Sequence, residues 1–251
     1  MYRGFLVVTV RTPYGCVPLI TLVSFDVWNT LIRLDGIFLA ISEAVAELAG
    51  MEPTKALAVL RETYNKSKRL RRAGELNETE IVREFQRIYA STLEVPEEII
   101  RRAAARALFE IQHESIVFDD VFDALDSVRQ LGVKAAVLGN ALFWPGSYTR
   151  AVLERAGIAR YLEVQLYADE LGVSKPDRRA FIRLCSVCKA KPEESLHVGD
   201  GVSEDLGGAL SAGMKAALLS RKAANNTIVL KEFGIAIIPS LRELANVVAK
   251  F

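Results

Sequence analysis

Asp26, Lys175, Asp200 and Asp205 are the residues of this 251-residue chain whose types and settings point to chemistry. Asp26 directly follows the short apolar run Ile20-Thr-Leu-Val-Ser-Phe25, and Asp200 follows Ser195-Leu-His-Val-Gly199. Asp205 stands shortly after, in Gly201-Val-Ser-Glu-Asp205, with Gly207-Gly-Ala and Ala212-Gly-Met214 behind it. Between them Val137-Leu-Gly139-Asn140 closes another apolar run, and Gly172-Val-Ser-Lys175-Pro176-Asp177 precedes an amphipathic stretch. A carboxylate can serve as nucleophile, proton carrier or ligand of a hard cation, and a lysine offers a point charge to an anion. Asp26 alone is a weak signal. Four such segments in order on matching elements are a strong one.

These side chains need elements to hold them. The runs 20–25, 133–138, 195–198, 215–219 and 235–238 are short, apolar and end on polar or glycine positions, the pattern of buried parallel strands. Helical periodicity fills 121–131, 148–156, 178–188, 205–212 and 241–251 between them. The alternation predicts an α/β fold: a Rossmann-like parallel sheet covered by helices on both faces, with its ligand site at the carboxyl ends of the strands.

Residues 37–115 differ. Helical patterns run through 38–48, 54–72, 78–93 and 97–111, punctuated by Pro53, Gly74 and Pro96. The segment holds thirteen Glu and no Asp, whereas all ten Asp lie outside it. Glu is the better helix former and Asp favours caps and turns, so the split predicts a four-helix cap inserted in an α/β core made of 20–36 and 116–251. Residues 1–19 belong to neither unit; Phe5-Leu-Val-Val-Thr-Val10 could add an edge strand.

Composition narrows the class. With 32 Lys+Arg against 31 Asp+Glu, the net charge of +1 makes no field that would draw the chain to nucleic acid. No apolar stretch is long enough to span a membrane, and the N-terminal run, broken at Arg11 and Pro13, is too short for a secretory signal. Three cysteines are too few for a disulfide framework or a complete zinc site, so a reduced, cytoplasmic compartment is expected. Cys185 and Cys188 sit late in a helical pattern and read as two small buried hydrophobes, with a redox pair as the other reading.

In these motifs residues 20–251 resemble the haloacid dehalogenase superfamily of phosphohydrolases, with a helical cap inserted after the first motif. The resemblance implies that Asp26 is the nucleophile and forms an aspartyl-phosphate, and that Lys175 neutralises charge between Asp26 and the phosphoryl oxygens. It implies a Mg²⁺ held by Asp26, the backbone carbonyl of Trp28 and Asp200, with Asp205 acting directly or through water. Gly139 and Asn140 would meet a phosphate oxygen, and the substrate would be a small phosphorylated molecule.

Two positions depart from the family pattern. Most of its phosphatases carry a second Asp two residues after the nucleophile, where it serves as acid and base; here Trp28 stands. Indole exchanges no proton near neutral pH, so it cannot supply a contribution of about 10² to 10⁴ in rate. The second motif has Gly139 in place of the usual Ser or Thr. True dehalogenases of the superfamily also lack the second Asp and place Tyr there, which opens a metal-free 2-haloacid dehalogenase as an alternative, beside a weakly active or non-catalytic phosphate-binding relative. Asp200 favours the metal site and phosphoryl chemistry.

Other candidates have plainer readings. Lys66-Ser-Lys-Arg-Leu-Arg-Arg72 places five cations in seven residues, which spans most of a helix circumference and reads as a solvated face rather than a grip on a second anionic group. Arg33, near the entry to the cap, is a substrate-contact candidate by position. His197 reads as a satisfied core histidine and His113 as structural. Phe143-Trp144-Pro145-Gly146 could wall the pocket beside Trp28 or pack beneath the cap.

Overall fold

The computed structural model describes residues 11–12, 15–16 and 20–251. One sheet contains Leu22–Phe25 (β1), Lys134–Gly139 (β2), Leu162–Tyr167 (β3), Ser195–Gly199 (β4), Lys215–Leu219 (β5), Ile228–Leu230 (β6) and Ile235–Ile238 (β7). Their spatial order is β3-β2-β1-β4-β5-β7-β6. All neighbours run parallel except the β6–β7 pair at one edge.

β1 lies between β2 and β4 and is buried along its whole length. That is why its sequence reads apolar on both faces apart from Ser24, whose hydroxyl is hydrogen-bonded to His197. Leu22 points into a cluster with Ala136, Phe181 and Leu184, whereas Val23 and Phe25 join one with Val121, Leu125 and Val247. Arg178–Cys188 therefore covers one face, and Val121–Gln130 with Leu244–Lys250 covers the other. Phe25 registers with Val137 on β2 and Val198 on β4. Asp26, Asn140 and Asp200 consequently leave the sheet at nearly one level, on its carboxyl edge.

Four helices occupy the chain between β1 and β2: Leu34–Ala49 (α1), Pro53–Arg72 (α2), Ile81–Leu93 (α3) and Glu97–Glu110 (α4). Pro53 opens α2, where its missing N–H costs nothing, and Pro96 precedes α4. α1 ends on Gly50 at φ +65°, a backbone that a side chain would strain. Ile41, Leu60, Phe85, Tyr89 and Ile100 face inward, and the Tyr89 hydroxyl donates to the Ala56 carbonyl at 2.9 Å.

The suggested edge strand at 5–10 lies outside the described residues, as does the side chain of His113. Residues 11–12 and 15–16 pair antiparallel with each other and join none of the seven strands. Cys185 and Cys188 are free and buried, and burial pushes the Cys188 thiol up to about 11. Among the described residues, no helix is long and apolar enough to cross a membrane.

Candidate active site

Asp26 extends β1 by one residue, its N–H donating to the Val198 carbonyl of β4 at 2.9 Å. Thr30, four residues on, donates its hydroxyl to Asp26 Oδ2 at 3.2 Å and braces the turn. Lys175 is 1% exposed, and its ammonium lies 2.7 Å from Asp26 Oδ1 and 2.7 Å from Asp205 Oδ1. Asn140 holds the lysine's backbone at two points: its Oδ1 accepts from Lys175 N–H at 2.9 Å and its Nδ2 donates to the Lys175 carbonyl at 3.0 Å.

Asp205 arrives on a π-helical turn, Val202–Gly207. It can approach β4 because Gly199 has no side chain: a Cβ there would stand 2.3 Å from the carboxyl carbon of Asp205. Oδ2 accepts from Gly201 N–H at 2.8 Å, and His197 Nε2 lies 3.1 Å from Oδ1. His197 is fully buried, with Nδ1 2.8 Å from Ser24 Oγ. Both contacts are satisfied by a neutral ring that donates from Nε2 and accepts at Nδ1, and burial lowers the His197 pKa accordingly. The histidine is a satisfied core residue, and it also holds Asp205.

The electrostatics are unequal across the three carboxylates. Burial opposes ionisation of Asp205, but Lys175 and His197 outweigh it and hold this carboxyl well below the usual range. Burial also raises Asp26 against the pull of Lys175. Asp200 is the exposed member of the three, at the rim of the site; partial desolvation by the surrounding protein, then repulsion from Asp26 and Asp205, pushes it up to about 7. Lys175 stays charged because the two carboxylates overcome its desolvation.

One oxygen from each of Asp26, Asp200 and Asp205 can be chosen so that all lie within 4.8 Å of one another. Three carboxylates facing one ammonium leave an excess of negative charge, and an all-oxygen set of this kind suits a hard divalent cation. The cavity above them measures about 90 Å³. Trp28, Asn29, Asn140, Phe143, Asp200 and Glu204 line it from the sheet side, and Tyr64, Lys68 and Arg71 reach it from α2.

The aromatic segment both walls the cavity and packs. Phe143 lies 5.3 Å from Trp28 and 5.3 Å from Phe38, centroid to centroid, while Trp144 is buried and donates Nε1 to Thr149 Oγ1 at 3.1 Å. The basic run 66–72 is not uniformly solvated. Tyr64, Lys68 and Arg71 share one helix face toward the cavity, and Arg72 Nε donates to buried Glu204 Oε1 at 2.7 Å.

Arg33 does not line the cavity that Asp26 lines. It lies 3.5 Å from Asp119 and stacks over Phe118 at 4.2 Å, beside a separate groove that also touches Asn29 and Asp200. Gly139 does not line the cavity either; it ends β2 beneath the Tyr167 ring. Sequence reasoning missed Tyr64 and Glu204 and took Lys68, Arg71 and Arg72 for part of a solvated face, although the 64, 68, 71 spacing was a usable sign of a shared face.

A doubly wound sheet with a buried Asp–Lys–Asp cluster at its carboxyl edge defines an α/β protein with an acid-and-lysine site. More specifically, residues 20–213 match the model of the haloacid dehalogenase-like hydrolase family, and the chain belongs to that family. A phosphoserine phosphatase of Thermus thermophilus is 32% identical over 121 residues, which are 48% of this chain and 47% of the relative. A glyceraldehyde 3-phosphate phosphatase of Methanopyrus kandleri is 32% identical over 100 residues, 39% of this chain and 40% of the relative. The chain thus spans under half the length of these curated relatives. The same fold occurs in a 2-haloacid dehalogenase from Pseudomonas syringae, with TM-score 0.67 and 20% identity over 92% of this chain and 99% of that one. It also occurs in the magnesium-bound hydrolase YfnB of Bacillus subtilis, with TM-score 0.70 and 15% identity over 90% and 97% of the two chains.

Proposed function

We propose that the protein is a Mg²⁺-dependent phosphatase of small phosphorylated molecules, with Asp26 as nucleophile. The carrying observation is that Asp26 and Asp205 both pair with the one buried lysine at the sheet edge, while Asp200 brings a third carboxylate within 4.8 Å of them. Asp26, Asp200 and the backbone carbonyl of Trp28 would hold the cation, with Asp205 beside them, and the cation would offset the repulsion between a carboxylate nucleophile and an anionic phosphoryl group.

The chain's own groups do the rest. Lys175 orients Asp26 Oδ1 and neutralises charge between it and the phosphoryl oxygens. Thr30 fixes the second Asp26 oxygen, so the carboxylate presents one face to the substrate. Attack of Asp26 on phosphorus breaks the ester P–O bond and expels an alkoxide, which takes its proton from solvent, leaving an aspartyl-phosphate; water then attacks this intermediate, the bond to Asp26 breaks, and phosphate and a proton are released as the carboxylate is restored. Trp28 supplies no proton to the departing oxygen. Gly139 offers no hydroxyl, which leaves the Asn140 backbone N–H and Lys175 to meet the phosphoryl oxygens.

Trp28 is also the observation that favours a second reading, a 2-haloacid dehalogenase in which Asp26 displaces halide. Wild-type protein and Asp26→Asn, assayed with phosphate esters and with 2-haloacids in Mg²⁺ and in chelator, separate the two. Phosphate release that needs both Asp26 and Mg²⁺ supports the phosphatase; halide release that survives chelation overturns it.

A further inference from the structure

The wall opposite the carboxylates carries two cations that the reaction above leaves unused. Lys68 and Arg71 lie on one face of α2 and line the same cavity as Asp26. Lys175 is engaged by Asp26 and Asp205, and Arg72 by Glu204. Among the described residues no carboxylate lies within ion-pair distance of Lys68 or Arg71. Lys68 rests 5.6 Å above the Tyr64 ring, and Arg71 makes one 3.3 Å hydrogen bond to the Ala141 carbonyl. Each keeps donors in hand.

Charge arithmetic shows what they can meet. On the phosphatase reading, three carboxylates are balanced by one lysine and one divalent cation. Lys68 and Arg71 therefore add two positive charges to a cavity that is otherwise neutral around the nucleophile. Their placement on the inserted helix, across from the sheet edge, sets this charge apart from Lys175. A guanidinium pairs with carboxylate or phosphate through parallel hydrogen bonds, and an ammonium beside it adds a point charge. A volume near 90 Å³ is far below the ~300 Å³ and more of sites that enclose drug-sized ligands, so the occupant is short.

The geometry points to a short phosphate ester carrying a second anionic group, carboxylate or phosphate, as the substrate class, with Lys68 and Arg71 as the residues that select it. This rests on the phosphatase reading of Asp26.

The test is read in binding, so it does not depend on turnover. Titration calorimetry of the 251-residue Asp26→Asn chain with Mg²⁺ would compare phosphoglycolate with 2-hydroxyethyl phosphate, and propane-1,3-diol bisphosphate with 3-hydroxypropyl phosphate. At least one doubly anionic ester should bind about tenfold or more tightly than its neutral-tailed partner, the size of a charge-assisted contact. Adding Lys68→Gln and Arg71→Gln should reduce that ratio to below about twofold, and each single change should reduce it in part. Equal affinities within both pairs, a ratio that survives the substitutions, or an equal loss for charged and neutral tails would overturn the inference; the last would assign the cations to the transferred phosphoryl group. Failure of the phosphatase reading is recognised separately, by absence of phosphate release from the wild-type protein.

Discussion

Asn140 grips the backbone of Lys175 from both sides, accepting from its N–H at 2.9 Å and donating to its carbonyl at 3.0 Å. The asparagine at the end of β2 thereby sets where the buried ammonium can stand between Asp26 and Asp205. Asn140→Ala removes both partners at once. Unpaired, partly buried backbone groups cost about 1–3 kcal/mol, so the variant should melt lower. A lysine displaced by even ~1 Å should lower kcat by on the order of 10²-fold. Unchanged kcat in a folded variant would show that Lys175 is placed by other contacts.

Trp28 stands where an acid would assist the leaving group. The enzyme should therefore favour aryl and acyl phosphates over alkyl phosphates, with rate depending steeply on the pKa of the departing alcohol. A flat dependence at saturating Mg²⁺ would point to another proton donor. Trp28→Asp is a harder test than its sequence position implies. The indole is 8% exposed and packs against Phe143 and Trp144 at 5.3 and 5.9 Å, so its loss should cost about 3–5 kcal/mol of stability. Alkyl phosphate turnover should rise only when assayed well below the lowered melting temperature.

Asp200, exposed at the rim of the site, is pushed up to about 7 by partial desolvation and by its carboxylate neighbours. A cation requires the ionised form, so Mg²⁺ affinity should rise with pH through about 7, and binding at that pH should release part of a proton. Calorimetry in buffers of different ionisation enthalpy reads that release directly. Asp200→Asn should abolish it and weaken Mg²⁺ by at least the ~10- to 100-fold that loss of an outer partner costs. Mg²⁺ should also raise the melting temperature of the wild-type protein and not of this variant.

Much of this fold was legible because the buried strands are apolar on both faces. β2, β5 and β7 follow that rule, and β1 and β4 follow it apart from Ser24, Ser195 and His197, which are buried and hydrogen-bonded. β3 and β6 did not announce themselves: Leu162–Tyr167 is half-exposed along most of its length, and Ile228–Leu230 is a three-residue edge strand. Short edge strands bury little, so their sequences carry little pattern. At the site, motif order marked Asp26, Lys175, Asp200 and Asp205. It could not show that Lys68 and Arg71 face the cavity, because the direction of a helix face depends on how α2 docks. Nor could it show that Arg33 pairs with Asp119 and stacks on Phe118 in a groove that borders Asn29 and Asp200.

Gly139 is a case in which the structure supplies a reason. A Cβ at this position would stand 2.9 Å from two carbons of the Tyr167 ring and 3.5 Å from Val27. Tyr167 is 1% exposed and cannot move cheaply. Gly139→Ser should then destabilise by about 1–3 kcal/mol and gain no activity from its hydroxyl. Pairing it with Tyr167→Ala should relieve the clash, and a double variant as unstable as the sum of the two singles would refute this account.

Asp120 offers a pH-dependent test remote from the nucleophile. Its carboxylate accepts from Arg221 Nη1 at 2.6 Å and Nη2 at 2.9 Å, from Ser240 Oγ at 2.7 Å and from Leu241 N–H at 2.9 Å. Burial alone would raise its pKa, but these donors outweigh it and hold the carboxyl below its ordinary value. A depressed folded pKa contributes stability that is complete above the unfolded value of about 3.9 and is lost as pH falls through the folded one. Asp120→Asn should cost about 3 kcal/mol at neutral pH, since it leaves the Arg221 guanidinium, 22% exposed, without its charge partner. The deficit should begin to shrink once pH falls below about 3.9, where the unfolded wild-type carboxylate takes up a proton, and should close only as pH falls on through the depressed folded value. Parallel melting curves for the two proteins from pH 7 to pH 3, with a constant gap, would show that the cluster acts through packing and not through its charge.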